Sequence, residues 1–131
     1  MASHTLLPFQ SLDVYVLARE LAARVHALPL ADAELRDQAR RASKSAFLNL
    51  AEGLPADSAG LRRRAFALAA GSLCEAAAAV DLGAALGLVA EAEAGELLAL
   101  AARVKRMLRA LTSPALKILH IEASGPGPTV I

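Results

Sequence analysis

Alanine and leucine occupy 56 of the 131 positions, 32 and 24 respectively. Both rank at the top of the helix propensities, because neither loses much rotamer freedom in a helix. The β-branched and aromatic residues that suit strands are scarce; aromatics make up 3% of the chain. An all-β fold is excluded on these grounds. Disorder is excluded as well, since the chain is 56% hydrophobic with a net charge of +1. The length fits one domain. A mean hydropathy of +0.44 raises the question of a membrane span. No run reaches the ~18 uncharged apolar residues that a span needs, because Glu75 and Asp81 interrupt the longest one. No membrane partner and no small-molecule substrate are therefore expected. The opening residues lack a basic stretch followed by an apolar one, so no signal peptide is expected. A lone cysteine excludes an internal disulfide and fits a reducing compartment, which predicts a cytoplasmic location.

Hydrophobic spacing and punctuation predict four helices, over residues 12–28, 32–51, 59–86 and 90–111. In the first, Val14, Leu17, Leu21, Val25 and Leu28 recur at steps of three and four, with Ser11 as the expected cap and Pro29 as the stop. In the second, Leu35, Ala39, Ala42, Ala46 and Leu50 form the inner stripe, and Gly53 suits a left-handed terminating position. Asp57 or Ser58 can cap the third helix, and Gly87 stops it. In the fourth, Leu97, Ala101, Val104, Leu108 and Leu111 face inward, and Pro114 ends the run. Short connections favour antiparallel neighbours, so the expected architecture is an up-down-up-down antiparallel four-helix bundle over residues 9–111. Residues 1–8 read as a leader. Residues 112–131 read as a tail, with an apolar patch at 115–121 and a Gly125-Pro126-Gly127-Pro128 spacer. An alanine-rich core buries little area per residue, so contacts between subunits are expected to supplement it.

The near-neutral total conceals segregation. Residues 36–64 sum to +4, residues 75–96 to −5 and residues 103–117 to +5. Folded into the bundle, Arg62, Arg63, Arg64, Arg103, Lys105, Arg106 and Arg109 gather at one pole. Asp32, Glu34, Asp81, Glu91, Glu93 and Glu96 gather at the other. In the fourth helix this order complements the macrodipole. In the third it opposes it, because three arginines sit in the first turns, where cations are disfavoured by a few tenths of a kcal/mol each. A phosphate-bearing ligand would favour them there. A solvated charge cluster, or ion pairs with Asp57 and a neighbouring subunit, is the alternative reading.

Residues for catalysis or metal binding are sparse. His4, His26 and His120 lie in separate segments without a metal-ligand spacing, and there is no phosphate-binding or nucleophile motif. Cys74, mid-helix among Ala and Leu, reads as a small core residue. Glu52 and Glu75 could form a carboxylate pair, but no spacing demands it. No cofactor, no metal and no enzymatic activity are expected. The sharper polar feature is Asn49-Leu50-Ala51-Glu52-Gly53 set against Gly71-Ser72-Leu73-Cys74-Glu75. Asn49 is expected on the inner stripe, Gly71 at a close helix approach, and Arg40 or Arg41 in an ion pair with Glu75. Such groups fix the register of a bundle or form a ligand site.

Three elements together, Asp37-Gln38-Ala39-Arg40-Arg41-Ala42-Ser43, Asn49-Leu50-Ala51-Glu52-Gly53 and Gly71-Ser72-Leu73-Cys74-Glu75, carry a family resemblance. So does the opening Phe9-Gln10-Ser11-Leu12-Asp13-Val14-Tyr15. The chain from about residue 9 to 111 resembles the bacterial four-helix bundle protein family that includes the 23S rRNA intervening-sequence proteins. It is also similar in architecture to the accessory protein of diversity-generating retroelements. The resemblance implies a helical bundle assembling as a ring, commonly a homopentamer. It also implies a basic surface that contacts nucleic acid or, in the retroelement relative, a nucleic-acid enzyme. Two departures stand out: Ala67 and Ala70 replace the family's usual aromatics, and the tail is longer and more apolar.

The resulting expectation is a non-enzymatic, ring-forming bundle that binds RNA or a nucleoprotein partner through the seven cations of the basic pole. Tyr15, Phe9, Phe47 and Phe66 are expected in the core, so stacking on bases is not available and binding should be led by shape and charge. The alternative is a protein interaction scaffold whose tail recruits a partner without any nucleic-acid binding.

Overall fold

A computed structural model of the chain describes residues 7–112, so the expected leader (in its first six residues) and the expected tail beyond Thr112 lie outside the described residues. A short 3-10 turn at Pro8–Ser11 leads into four helices: α1 (Asp13–Ala27), α2 (Ala33–Gly53), α3 (Ala59–Ala85) and α4 (Glu91–Thr112). No strand occurs among the described residues. Each helix packs on its chain neighbour, and α4 returns against α1, so the four close a ring in chain order, with α2 and α3 the most extensively packed pair. The expected all-α four-helix bundle is what the chain forms.

The caps explain most boundaries. The Asp32 carboxylate accepts from the Leu35 amide at 2.9 Å, and Ser58 Oγ accepts from the Leu61 amide at 3.3 Å. Gly87 adopts φ +74, the one positive φ among the described residues. There the Leu88 amide donates to the Gly83 carbonyl at 2.8 Å and the Gly87 amide to that of Ala84 at 3.0 Å, which closes α3 in a Schellman arrangement. Ser11 does not cap α1. Leu12 occupies that position without a side-chain bond, and Ser11 Oγ donates to the Pro8 carbonyl inside the 3-10 turn at 3.0 Å.

The core follows the expected stripes closely: Val14, Leu21 and Val25 of α1, Ala39, Ala42, Ala46 and Leu50 of α2, and Leu97, Ala101, Val104 and Leu108 of α4 are buried. Ala18 and Ala94 add to the stripes, and Leu17, Leu35 and Leu111 are half-buried at their margins. Phe66 is 2% exposed. Phe9, Tyr15 and Phe47 are half-buried instead, packed in sequence with ring centroids 5.8 and 5.0 Å apart.

α3 departs from expectation. It is long and apolar enough by length and composition to cross a membrane, with a window hydropathy of 1.5. Eight of its residues, Ala65 to Gly83, are nevertheless buried in the bundle. Its outward side carries exposed leucines, Leu61, Leu68 and Leu82, among the charges of Arg63, Arg64, Glu75 and Asp81. Cys74 is exposed rather than in the core. The glycines exchange the roles read from sequence. Gly53 lies inside α2 without a positive φ, and a Cβ there would meet the Phe66 ring at 2.7 and 2.8 Å. Gly71 is exposed, with nothing within 4 Å of a notional Cβ, so it mediates no close approach. The tight glycine near the far end of α3 is Gly83, whose Cβ would meet Val89 at 3.0 Å and Leu30 at 3.2 Å.

Candidate functional site

Consecutive residues on an α-helix diverge by about 100°, so Arg62, Arg63 and Arg64 cannot share a face. The structure gives each a different task. Arg62 is half-buried and turns toward the end of α2, where its Nη2 donates to the Leu54 carbonyl at 2.9 Å. Its guanidinium also sits 5.8 Å from the centre of the Phe66 ring. Leu54 is the C-terminal cap residue of α2, the negative end of that helix's dipole. This accounts for a cation in the unfavourable first turns of α3: Arg62 serves its neighbour's terminus.

Arg63 faces α4. Together with Lys105 and Arg109 it rims a groove of about 450 Å³ whose floor is Phe66, Ala67, Ala70 and Leu108 and whose end is Thr112. Lys105 and Arg109 are four residues apart and thus share one face of α4. No acidic residue lines the groove. Ala67 and Ala70, which stand where the resemblance implies aromatics, leave its floor shallowly filled. Arg64 lies on the opposite side of α3, in a smaller groove of about 220 Å³ with Asn49, Glu52, Leu61 and Leu68. Arg103 and Arg106 are exposed on α4 and line neither groove.

The acidic pole is partly occupied. Arg24 of α1 donates from Nη2 to Glu96 at 2.6 Å and to Glu93 at 3.1 Å, joining α1 to α4. The Glu96 hydrogen bond, with Glu93 adding to it against some desolvation, holds the Arg24 guanidinium above its ordinary pKa. These are the ion pairs found among the described residues. Neither Arg40 nor Arg41 pairs with Glu75. Arg41 and Glu75 are exposed, and Arg40 is half-buried with its Nε unbonded.

The polar link between α2 and α3 is instead a hydroxyl pair, Ser45 Oγ to Ser72 Oγ at 2.8 Å. Asn49 is half-buried at the edge of the inner stripe, and its Nδ2 donates to the Ser45 carbonyl at 2.9 Å and to Ser45 Oγ at 3.2 Å. Of the motif residues, Ser72 and Asn49 join this network, Gly53 receives Phe66, and Glu52 lines the Arg64 groove. The sequence offered Ser72 as a member of its motif but no sign that Ser45 would meet it. Among the described residues, no three of His, Cys, Asp and Glu gather to hold a metal. What the site can do chemically is bind anions along one apolar-floored groove with three cations on its rim.

A family model described as 23S rRNA-intervening sequence protein matches residues 10–110. No curated protein matches the chain.

Proposed function

The chain belongs to the 23S rRNA-intervening sequence protein family, and from that membership and the arrangement of its cations we propose that it is a non-enzymatic, self-associating bundle that binds RNA through the phosphate backbone. The observation that carries this reading is the groove rimmed by Arg63, Lys105 and Arg109 with no carboxylate in its lining. Exposed Arg103 and Arg106 on the same helix extend the positive surface. Arg62 is excluded from the contact set because its guanidinium is held by Leu54 and Phe66. Without exposed stacking aromatics, recognition rests on shape and charge. A cytoplasmic location goes with this reading.

Self-association is the second part of the proposal. Leucines exposed on α3 away from its buried face suit a contact with a second subunit. Leu61 and Leu68 are 63% and 49% exposed, seven residues apart on the outer face. We place the subunit contact on that face, in the ring that the family resemblance implies, a homopentamer. A ring repeats a weak groove several times, which raises avidity without any new contact.

Filter binding with a structured RNA at two salt concentrations tests the first part. Three phosphate contacts per protomer give a slope of log affinity on log salt of about −2 to −3. Substituting Arg63, Lys105 and Arg109 together with alanine should abolish binding. Native mass measurement tests the second part: Leu68→Glu should shift an oligomer to monomer. Absence of RNA binding at low salt by an intact assembly overturns the RNA reading and leaves a protein scaffold. A monomeric native chain overturns the ring.

A further inference from the structure

Two patches of exposed apolar side chains lie on different sides of the bundle. Leu61 and Leu68 line the groove between α2 and α3, and Leu48, one turn before Glu52 of that groove, is exposed beside them. Arg64 and Glu52 line the same groove, so its charges balance. The second patch is on α1. Leu12, Val16, Arg19 and Ala23 follow one another at steps of four, three and four, and all are exposed, away from the buried Val14, Leu21 and Val25. Glu20 lies about 100° further round the helix.

Contacts inside the protomer fix the relative heights of the two patches. Tyr15 of α1 packs on Phe47 of α2 with ring centroids 5.0 Å apart. Ser45 of α2 bonds Ser72 of α3 at 2.8 Å. Phe47 is two residues beyond Ser45, and α3 runs the other way, so Tyr15 stands level with position 70 of α3. Each position on α1 is thus level with the α3 position 55 further along the chain. Leu12 falls one residue from the height of Leu68, and Arg19 one residue from that of Glu75, an offset of about 1.5 Å in each case. Val16 is level with Gly71, which is exposed and has nothing within 4 Å of a notional Cβ.

A ring is built by rotation without translation, so each copy keeps its height along an axis parallel to the bundle, and neighbours meet level with level. We propose that the outward side of α1 of one protomer seats on the α2–α3 side of the next, with Leu12 on Leu68, Val16 over Gly71 and Arg19 paired to Glu75. This rests on the self-association reading above and names the surface that the neighbour presents to Leu61 and Leu68. At these heights apolar meets apolar and cation meets anion. Arg19 and Glu75 have no ion-pair partner among the described residues, so the contact joins two free charges. Patches set back to back would stack copies in a line. In a bundle closed in chain order α1 stands beside α2 and diagonally from α3, so the two patches are oblique and successive copies turn. The groove of Arg63, Lys105 and Arg109 lies on the α4 side of α3 and stays open.

Cross-linking tests the pairing in the full chain, with Cys74→Ser removing the sole cysteine. Leu12→Cys and Leu68→Cys together should give a ladder of covalent multimers under mild oxidation, seen on a denaturing non-reducing gel. Each substitution alone should stay monomeric on that gel, because a head-to-tail contact brings neither position onto its own copy. A covalent dimer from Leu68→Cys alone, or no ladder from the pair, overturns the proposal. Charge exchange gives a second readout at exposed positions. Arg19→Glu and Glu75→Arg should each weaken assembly roughly fivefold or more by setting like charges together, and the double variant should regain the native midpoint of dissociation. Losses that add in the double variant overturn the Arg19–Glu75 contact. Native mass measurement separates the two readings. A monomeric native chain sinks self-association itself, whereas an assembled chain with neither ladder nor rescue sinks only this pairing of surfaces.

Discussion

At the scale of single residues, two glycines separate what a helix needs from what its neighbour needs. Gly53 faces the buried Phe66 ring at a distance no real Cβ tolerates, whereas Gly71 faces open solvent. Gly53→Ala should therefore destabilise by about 1–3 kcal/mol, the usual range for overpacking a core. Gly71→Ala should stabilise by about 0.5–1 kcal/mol through the lower entropy of the unfolded chain. Urea midpoints of the two variants check this, and the opposite order would refute the packing account. The sequence marked both glycines as notable but exchanged their roles, one read as a helix terminus and the other as a contact. The reason is physical: a missing Cβ is visible in the chain, while the atom that would strike it belongs to a helix whose phase must be known first. α3 hides that phase, because alanine and leucine occupy its exposed and buried sides alike. Cys74 was misplaced into the core for the same reason. The Ser45–Ser72 bond escaped notice because two small hydroxyls among alanines carry no spacing signal.

Helices as units were far more legible. The expected spans agree with the observed ones to within two residues, because Asp32, Ser58, Gly87 and the prolines act locally and need no knowledge of the tertiary fold. Arg62 shows where local reading ends. From the sequence it is one of three arginines opposing the dipole of their own helix. In the fold it completes the C-terminus of the helix before it, through the Leu54 carbonyl. Replacing Arg62 with alanine removes a charge-assisted hydrogen bond and a cation–π contact at a half-exposed site, together worth about 1–2 kcal/mol. Arg63→Ala removes neither and should leave thermal stability within about 0.5 kcal/mol of the parent. Thermal melts of the two variants distinguish them. An equal loss in both would mean that the cluster acts as a whole and that Arg62 has no separate task.

For the molecule as a whole, the charge pattern predicted a basic pole, and the fold subdivides it. Arg63 joins Lys105 and Arg109 on one groove, Arg64 faces another, and Arg62 turns inward. Charge sums along the chain assign residues to an end of a bundle; only the helical phase assigns them to a side. The pairing of helices carries a further consequence, for the order in which the molecule assembles. α2 and α3 make the most extensive contact and are joined by five residues, 54–58. Bringing them together closes a short loop and so loses little chain entropy, whereas seating α1 against α4 must close most of the chain. The α2–α3 hairpin should accordingly be formed in the folding transition state, with α4 docking later. Truncating Leu50 in α2 to alanine would then mainly slow refolding, and truncating Leu97 in α4 would mainly accelerate unfolding. Stopped-flow chevrons of the two variants read this directly, and the reverse partition would mean that the bundle nucleates across its longest closure.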